Sequence, residues 1–194
     1  MKHRIITISR EFGSGGRTIG KLTAQRLGIP CYDQELLEEL AKQSGFTKEF
    51  VKERSEYTER SGWFSNAFSD RGYGGMSSRD YLWTIQQQMI RELAEKESCV
   101  IVGRCADYIL KDSADCLRVF IHADMEKRAQ RIVEVYGEME TAPAKRLRDK
   151  DKRRAAYYQF YTDTEWGQVK NYHISLDSGV FGIEKCAEIL VGLY

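Results

Sequence analysis

The chain has 194 residues, with 30 Lys+Arg against 29 Asp+Glu for a formal net charge of +1, and it is 42% apolar and 30% charged. That length suits one domain with a sizeable core, and the composition excludes a disordered chain, which combines low hydrophobicity with large net charge. A membrane span is excluded too, because the longest apolar stretches, Ile5–Ile8 and Cys99–Val102, fall far short of the roughly 20 residues a bilayer needs.

The first residues show no secretory signal pattern, so the cytoplasm is the expected compartment. Cys31, Cys99, Cys105, Cys116 and Cys186 are an odd set without C-x-x-C spacing and read as reduced, buried thiols. His3, His122 and His173 are scattered, which disfavours a zinc site. The near-neutral balance removes whole-molecule attraction to nucleic acid.

In chain order, Ile5-Ile-Thr-Ile-Ser9 is short, β-branched and followed by glycines, the pattern of a buried strand. Ile19, Leu22 and Leu27 recur at helical spacing, and Gly28-Ile29-Pro30 stops that helix. Cys31–Tyr32 predicts a second short strand, and Asp33 is placed to cap a helix carrying Leu36, Leu37 and Leu40. From Gly45 to Ser78 the periodicity blurs, and the glycine-rich Arg71–Ser78 reads as a mobile loop.

Leu82, Ile85, Met89 and Leu93 mark an amphipathic helix ending near Lys96. Cys99–Val102 and Leu117–Ile121 are buried strands, followed by a helix bearing Met125, Ala129, Ile132, Val133 and Tyr136. Ala144–Tyr158 is a strongly basic helix, Tyr172–Leu176 a final strand and Ile183–Leu193 a final helix. Short apolar strands alternating with helices predict a five-stranded parallel sheet covered on both faces, a three-layer α/β/α fold. No linker divides 1–194, and excursions are expected at 45–80 and 140–171.

The stretch Ser9-Arg-Glu-Phe-Gly-Ser-Gly-Gly-Arg-Thr-Ile-Gly20 lies between the first strand and the first helix. Its glycines let backbone N–H groups converge, and a helix N-terminus follows, so Gly13, Ser14, Gly15, Gly16, Arg17 and Thr18 form a candidate phosphate cradle. Set against G-x-x-x-x-G-K-[ST], the match is Gly16-Arg17-Thr18, with Glu11 in place of the first glycine and Arg17 in place of the lysine. Arg17 brings a fork of donors rather than a point charge. Thr18 either offers its hydroxyl to Mg²⁺ or caps the helix.

With these residues in place, the chain resembles the cytidylate kinase-like branch of the P-loop nucleoside monophosphate kinases, in order and over nearly its whole length. Tyr32-Asp33 is similar to the step that ends the family's second strand, and Val100-Ile-Val-Gly-Arg104 to its V-[IV]-x-G-R. Leu117–Asp124 followed by Glu126-Lys-Arg-Ala-Gln-Arg131 resembles the next strand–helix step, Arg148–Arg154 the basic lid helix, and Tyr172–Ser178 the closing strand.

The resemblance implies a P-loop NTPase fold with a helical lid at 140–171 and an acceptor-binding excursion at 45–80. It implies ATP and Mg²⁺ as cofactors, and Arg17, Arg104, Arg148, Asp151 and Arg154 as the catalytic set. Arg104, at the carboxyl end of a strand, either clamps the acceptor phosphate or pairs internally as a structural arginine. Lys145–Arg154 holds seven basic and two acidic residues, and Arg148, Asp151 and Arg154 share a helix face where a lid meets developing charge. Asp33 either orients a water on Mg²⁺ or caps its helix. The aromatic run Ala155–Tyr161 with Trp166 is expected to pack the lid against the body, with base stacking as the other reading.

The chain also departs from the family. Cys105 stands where an aspartate often follows the arginine, with Asp107 two residues on. Gln34, Glu35 and Leu36 replace the serine and arginine that grip cytosine, leaving Ser78 and Arg79 as replacement contacts. The expected activity is transfer of a phosphoryl group from ATP to a nucleoside monophosphate, with CMP or dCMP as acceptor. A P-loop kinase for another small acceptor and a nucleotide-binding switch without turnover are the alternatives. Nucleotides are the expected partners, nucleic acid and membranes are not, and homo-oligomerisation is left open.

Overall fold

The computed structural model describes residues 4–33, 35–53, 71–73, 76–112 and 115–194. Its centre is a parallel five-stranded sheet in the order β2-β5-β1-β6-β7. The strands are β1 (Arg4–Arg10), β2 (Cys31–Tyr32), β5 (Cys99–Val102), β6 (Asp115–His122) and β7 (Ile174–Asp177). β1 lies between β5 and β6, with Ile8 opposite both Val102 and Val119.

Helices α1 (Gly16–Leu27) and α8 (Ser178–Gly192) cover one face, and α2 (Glu35–Ser44), α4 (Ser78–Lys96) and α5 (Ala106–Ile109) the other. Side chains alternate across a strand. Ile6 and Ile8 therefore join Val100, Val102, Ile19 and Leu190 in one core, while Ile5 and Ile101 join Leu82, Met89 and Ile90 in the other. Each such aliphatic, fully buried, contributes about 1.5–3 kcal/mol. This is the three-layer α/β/α arrangement expected from the alternation of strands and helices.

The remaining helices are α3 (Lys48–Glu53), α6 (Met125–Tyr136) and α7 (Pro143–Thr162). Pro143 opens α7 at its first turn, where its missing N–H costs nothing. The basic helix therefore starts one residue before its expected limit and ends four residues beyond it.

Three expectations change. Arg71–Ser78 is not simply a loop: β3 (Arg71–Tyr73) pairs antiparallel with β4 (Met76–Ser77), and Ser78 already starts α4. The last strand begins at Ile174 rather than Tyr172, because a 3₁₀ turn at Val169–Asn171 uses the Tyr172 N–H. The last helix begins at Ser178, five residues early, with a break at Gly182 where φ is +77°. Of the 45–80 excursion, residues 54–70 and 74–75 lie outside the described residues.

Candidate functional site

The chain leaves β1 at Arg10 and re-enters regular structure at Gly16, at the carboxyl edge of the sheet where the strand order reverses. Gly13 and Gly15 hold φ of +81° and +78°, left-handed values that cost a residue with a Cβ about 1–2 kcal/mol. A methyl on Gly16 would come 2.6 Å from Cβ of Arg10. Gly15 is the N-cap of α1 and brings no side-chain cap, and the first N–H groups of a helix, which have no intrahelical acceptor, suit an anion.

Ser14 turns inward. Its Oγ donates to the Glu11 carbonyl at 2.9 Å, and its own carbonyl accepts from Ser178 Oγ at 2.6 Å. Thr18 lies inside the helix rather than at its cap, and its Oγ1 accepts from Arg131 Nη2 at 3.1 Å. That geometry removes the capping reading of Thr18.

Facing the loop is a cleft of about 880 Å³, lined by Gly13, Gly15, Gly16, Arg17 and Thr18 on one side. The other side is the basic face of α7, where Lys145, Arg146, Lys150, Arg153 and Arg154 line it with Arg131 of α6. So many cations around backbone donors have the chemistry that suits a multiply charged anion, and low-dielectric walls strengthen such a field.

An adjoining stripe of α7, which shares Arg154 with the cleft, anchors it. Leu147 is fully buried. Asp151 accepts the Phe12 N–H at 2.7 Å with one oxygen and Arg128 Nη1 at 2.6 Å with the other. Arg128 also donates to the Phe12 carbonyl at 3.2 Å, and its Nε stands 3.3 Å from Glu11. Arg154 donates through Nη1 to the Arg10 carbonyl at 2.9 Å. Glu11 accepts the Ala123 N–H at 3.1 Å. Burial nevertheless dominates over that bond and over Arg128, and it lifts the Glu11 carboxyl above the usual range.

The expected site residues thus divide. Gly13, Gly15, Gly16, Arg17, Thr18 and Arg154 line one cleft, and Ser14 shapes its loop from behind. Asp151 holds Phe12 and Arg128 instead of lining the cleft, and stands 4.0 Å from Arg154 Nη1. Arg148 is exposed and outside the lining. The Asp33 carboxylate is buried and ion-paired with Arg17 Nε, a partner the sequence did not suggest.

Arg104 is 1% exposed and lies outside the lining. Its backbone sits at φ +63° between Gly103 at +79° and Cys105 at +53°. Consecutive left-handed residues are strained, and such strain persists where a site needs it. Gln86 of α4 steadies the turn by donating to the Arg104 carbonyl at 3.1 Å and to Tyr157 Oη at 3.3 Å.

The aromatic run packs, as favoured. Tyr157 and Tyr158 are buried with Cys105, and Tyr161 stacks on Trp83 with centroids 4.3 Å apart. Arg79 sits near Phe160, its guanidinium carbon 5.6 Å from the ring centroid, and Ser78 is buried. Arg128 and Arg131 belong to the family-like strand–helix step, but the sequence reading gives them no site role. Their signal was an arginine pair three apart on one helix face, close behind a strand that ends beside the phosphate loop.

Comparison with known proteins finds relatives over nearly the whole chain. The model of the cytidylate kinase-like family matches residues 5–180. A cytidylate kinase of Archaeoglobus fulgidus is 33% identical over 191 residues, spanning 96% of this chain and 92% of that one. The crystal structure of an uncharacterised protein from Eubacterium ventriosum superposes with a TM-score of 0.75 at 30% identity, over 98% of both chains. A shikimate kinase from Acinetobacter baumannii, solved with shikimate, gives a TM-score of 0.56 at 16% identity over 98% of this chain and 92% of that one, a likeness of fold.

Proposed function

The chain belongs to the cytidylate kinase-like family of nucleotide kinases, and from that premise we propose that it moves the γ-phosphoryl group of ATP to a nucleoside monophosphate, with CMP or dCMP as acceptor. The observation that carries this reading is the cleft in which a glycine cradle faces the basic side of α7. Val135, Tyr136 and Met139 give the same cleft an apolar rim, which suits a ligand with a flat base as well as phosphates.

In this reading the loop N–H groups and Arg17 hold the β- and γ-phosphates. An oxygen of the acceptor phosphate bonds to the γ-phosphorus, the bond to the β–γ bridging oxygen breaks, and ADP leaves. Little covalent work falls to the protein, so placement and charge neutralisation carry the rate. Arg154, fixed between Asp151 and the Arg10 carbonyl, meets the charge that spreads over the transferring group.

Arg104 is assigned to the acceptor phosphate, on the strength of its strained turn at a strand's carboxyl end. Among the described residues no cluster of three His, Cys, Asp or Glu forms a metal cage, which suits Mg²⁺, an ion that keeps several waters and arrives with phosphates. Thr18 and Asp33 are the residues that would hold it, and it would neutralise the bridging oxygens. Five free thiols and a described chain with no helix long and apolar enough to cross a membrane support a cytoplasmic setting.

The engagement of Arg17 by Asp33 favours a second reading, a nucleotide-binding switch with little turnover. ADP release measured with Mg²⁺, ATP and each of CMP, dCMP, UMP, AMP or no acceptor decides. Acceptor-stimulated release, greatest with CMP or dCMP, is expected. Tight nucleotide binding without stimulation by any of them selects the switch.

A further inference from the structure

Successive turns of one face of α7 meet successive points along the root of the phosphate loop. Asp151 accepts the Phe12 N–H and Arg154 donates to the Arg10 carbonyl. One turn further on, Tyr158 Oη donates to Asp107 Oδ2 at 2.7 Å, and Asp107 Oδ1 accepts from Ser9 Oγ at 3.4 Å. Asp107 is 2% exposed and lies in α5, three residues beyond Arg104. One buried carboxylate therefore touches β1 just before the phosphate loop, the helix that follows the Arg104 turn, and α7.

The other contacts at this end of α7 are aromatic packing and two longer hydrogen bonds, from Gln86 Nε2 to Tyr157 Oη at 3.3 Å and from Tyr161 Oη to the Arg79 carbonyl at 3.5 Å. Trp83 stacks on Tyr161, and Tyr157 is buried beside them. Aromatic layers are broad and tolerate small slides. A short hydrogen bond does not: moving α7 by one residue shifts it about 1.5 Å along its axis and turns it about 100°, which breaks a contact of this length. A carboxylate so deeply buried also costs free energy unless its hydrogen bonds are kept.

We infer that Asp107 is a positioning residue which, through Tyr158, fixes the register of α7 and so delivers Arg154 to the root of the phosphate loop. Tyr158 lies four residues after Arg154, on the same side of the helix. The inference rests on the reading that Arg154 serves phosphoryl transfer.

Tyr158→Phe removes only the hydroxyl. It is expected to lower the acceptor-stimulated kcat by about tenfold, the loss of one hydrogen bond to a charged group, while nucleotide Kd stays near that of the parent. In an Arg154→Ala background the same change should cost almost nothing more, because both variants break one chain of action. Asp107→Asn keeps an oxygen that accepts from Tyr158 and should retain far more activity than Asp107→Leu. Full kcat in Tyr158→Phe, or losses that simply multiply with Arg154→Ala, overturn the inference.

Amide hydrogen exchange separates this from the functional reading. In Tyr158→Phe, exchange should quicken over 151–158 and stay unchanged in β1, which also shows that the fold is kept. A parent protein without acceptor-stimulated turnover defeats the phosphoryl-transfer reading. Unchanged exchange in α7 of the variant defeats the positioning role instead.

Discussion

Arg17 and Asp33 form an ion pair through Nε and Oδ2, joining the first turn of α1 to the end of β2. Asp33 is nearly fully buried while Arg17 keeps about a third of its side chain exposed to the cleft. An arginine suits this place where a lysine would not. Its planar fork engages a carboxylate with one edge and presents other donors elsewhere, whereas an ammonium is a single point of charge.

Arg17→Ala is therefore expected to weaken ATP binding and turnover together, since a group on the β- and γ-phosphates acts in ground and transition states alike. Calorimetric titration with nucleotide beside initial rates checks this. Unchanged affinity and rate in a folded variant would falsify the phosphate-loop assignment.

Arg154→Ala should leave nucleotide Kd nearly intact and lower kcat by roughly 10²-fold or more, in line with arginines that meet transition-state charge. Single-turnover rates measured with saturating acceptor test it. A large rise in Kd with kcat preserved would move Arg154 to ground-state binding.

Arg104→Lys should raise the acceptor KM and spare that of ATP. Charge is retained but the two-pronged grip is lost, a change of about 1.5–3 kcal/mol for a charge-assisted hydrogen bond. Steady-state kinetics with each substrate varied in turn provide the measurement. Equal damage to both KM values, with a fall in thermal stability, would make Arg104 a structural arginine of the turn it occupies.

Asp107 supplies a pH signature. Burial raises its carboxyl above the usual 3.8, against the lowering effect of its bonds from Tyr158, its own backbone, Ser9 and the Tyr108 N–H. The folded state then holds the proton more tightly than the unfolded one. Its contribution to stability is fully present below that unfolded value and is lost as pH rises through the higher folded one. Asp107→Asn has no such titration, so its stability relative to the parent should improve as pH climbs from the unfolded value toward neutrality. Urea unfolding across that range reads the trend, and a relative decline would show that the buried carboxyl is stabilised as an anion.

The strands and the phosphate loop were legible because their signals are local. Ile5–Ile8 alternates between two cores, and Gly13, Gly15 and Gly16 mark a turn that side chains would obstruct. The partners of Asp151 and Asp33 were not legible. Asp151 meets Phe12 across 139 positions of sequence, and Asp33 meets Arg17 only because the start of α1 lies beside the end of β2. Helical spacing placed Arg148, Asp151 and Arg154 along one stripe, yet Arg148 faces solvent while the other two anchor α7. An i, i+3, i+6 row drifts around a 3.6-residue turn, so its first member leaves the face that its last member shares with the body. The start of α8 was missed because Gly182 interrupts the helical pattern just where it would have been read.

The hydroxyl of Ser178 gives the molecule an order of assembly. It donates to the carbonyls of Ser14 and His122 at 2.6 and 3.0 Å, closing the phosphate loop from a position 164 residues downstream of Ser14. β1, which carries the loop, is itself paired with strands that begin at Cys99 and Asp115. On a ribosome, β1 must wait until the strand at Cys99 is made before it has a neighbour, and the loop behind it waits until Ser178 is made. Contacts this distant in sequence make for slow closure and a long interval in which apolar strand surface is bare. Nucleotide cannot steady those early intermediates, because the cradle that would hold it is among the last parts to form.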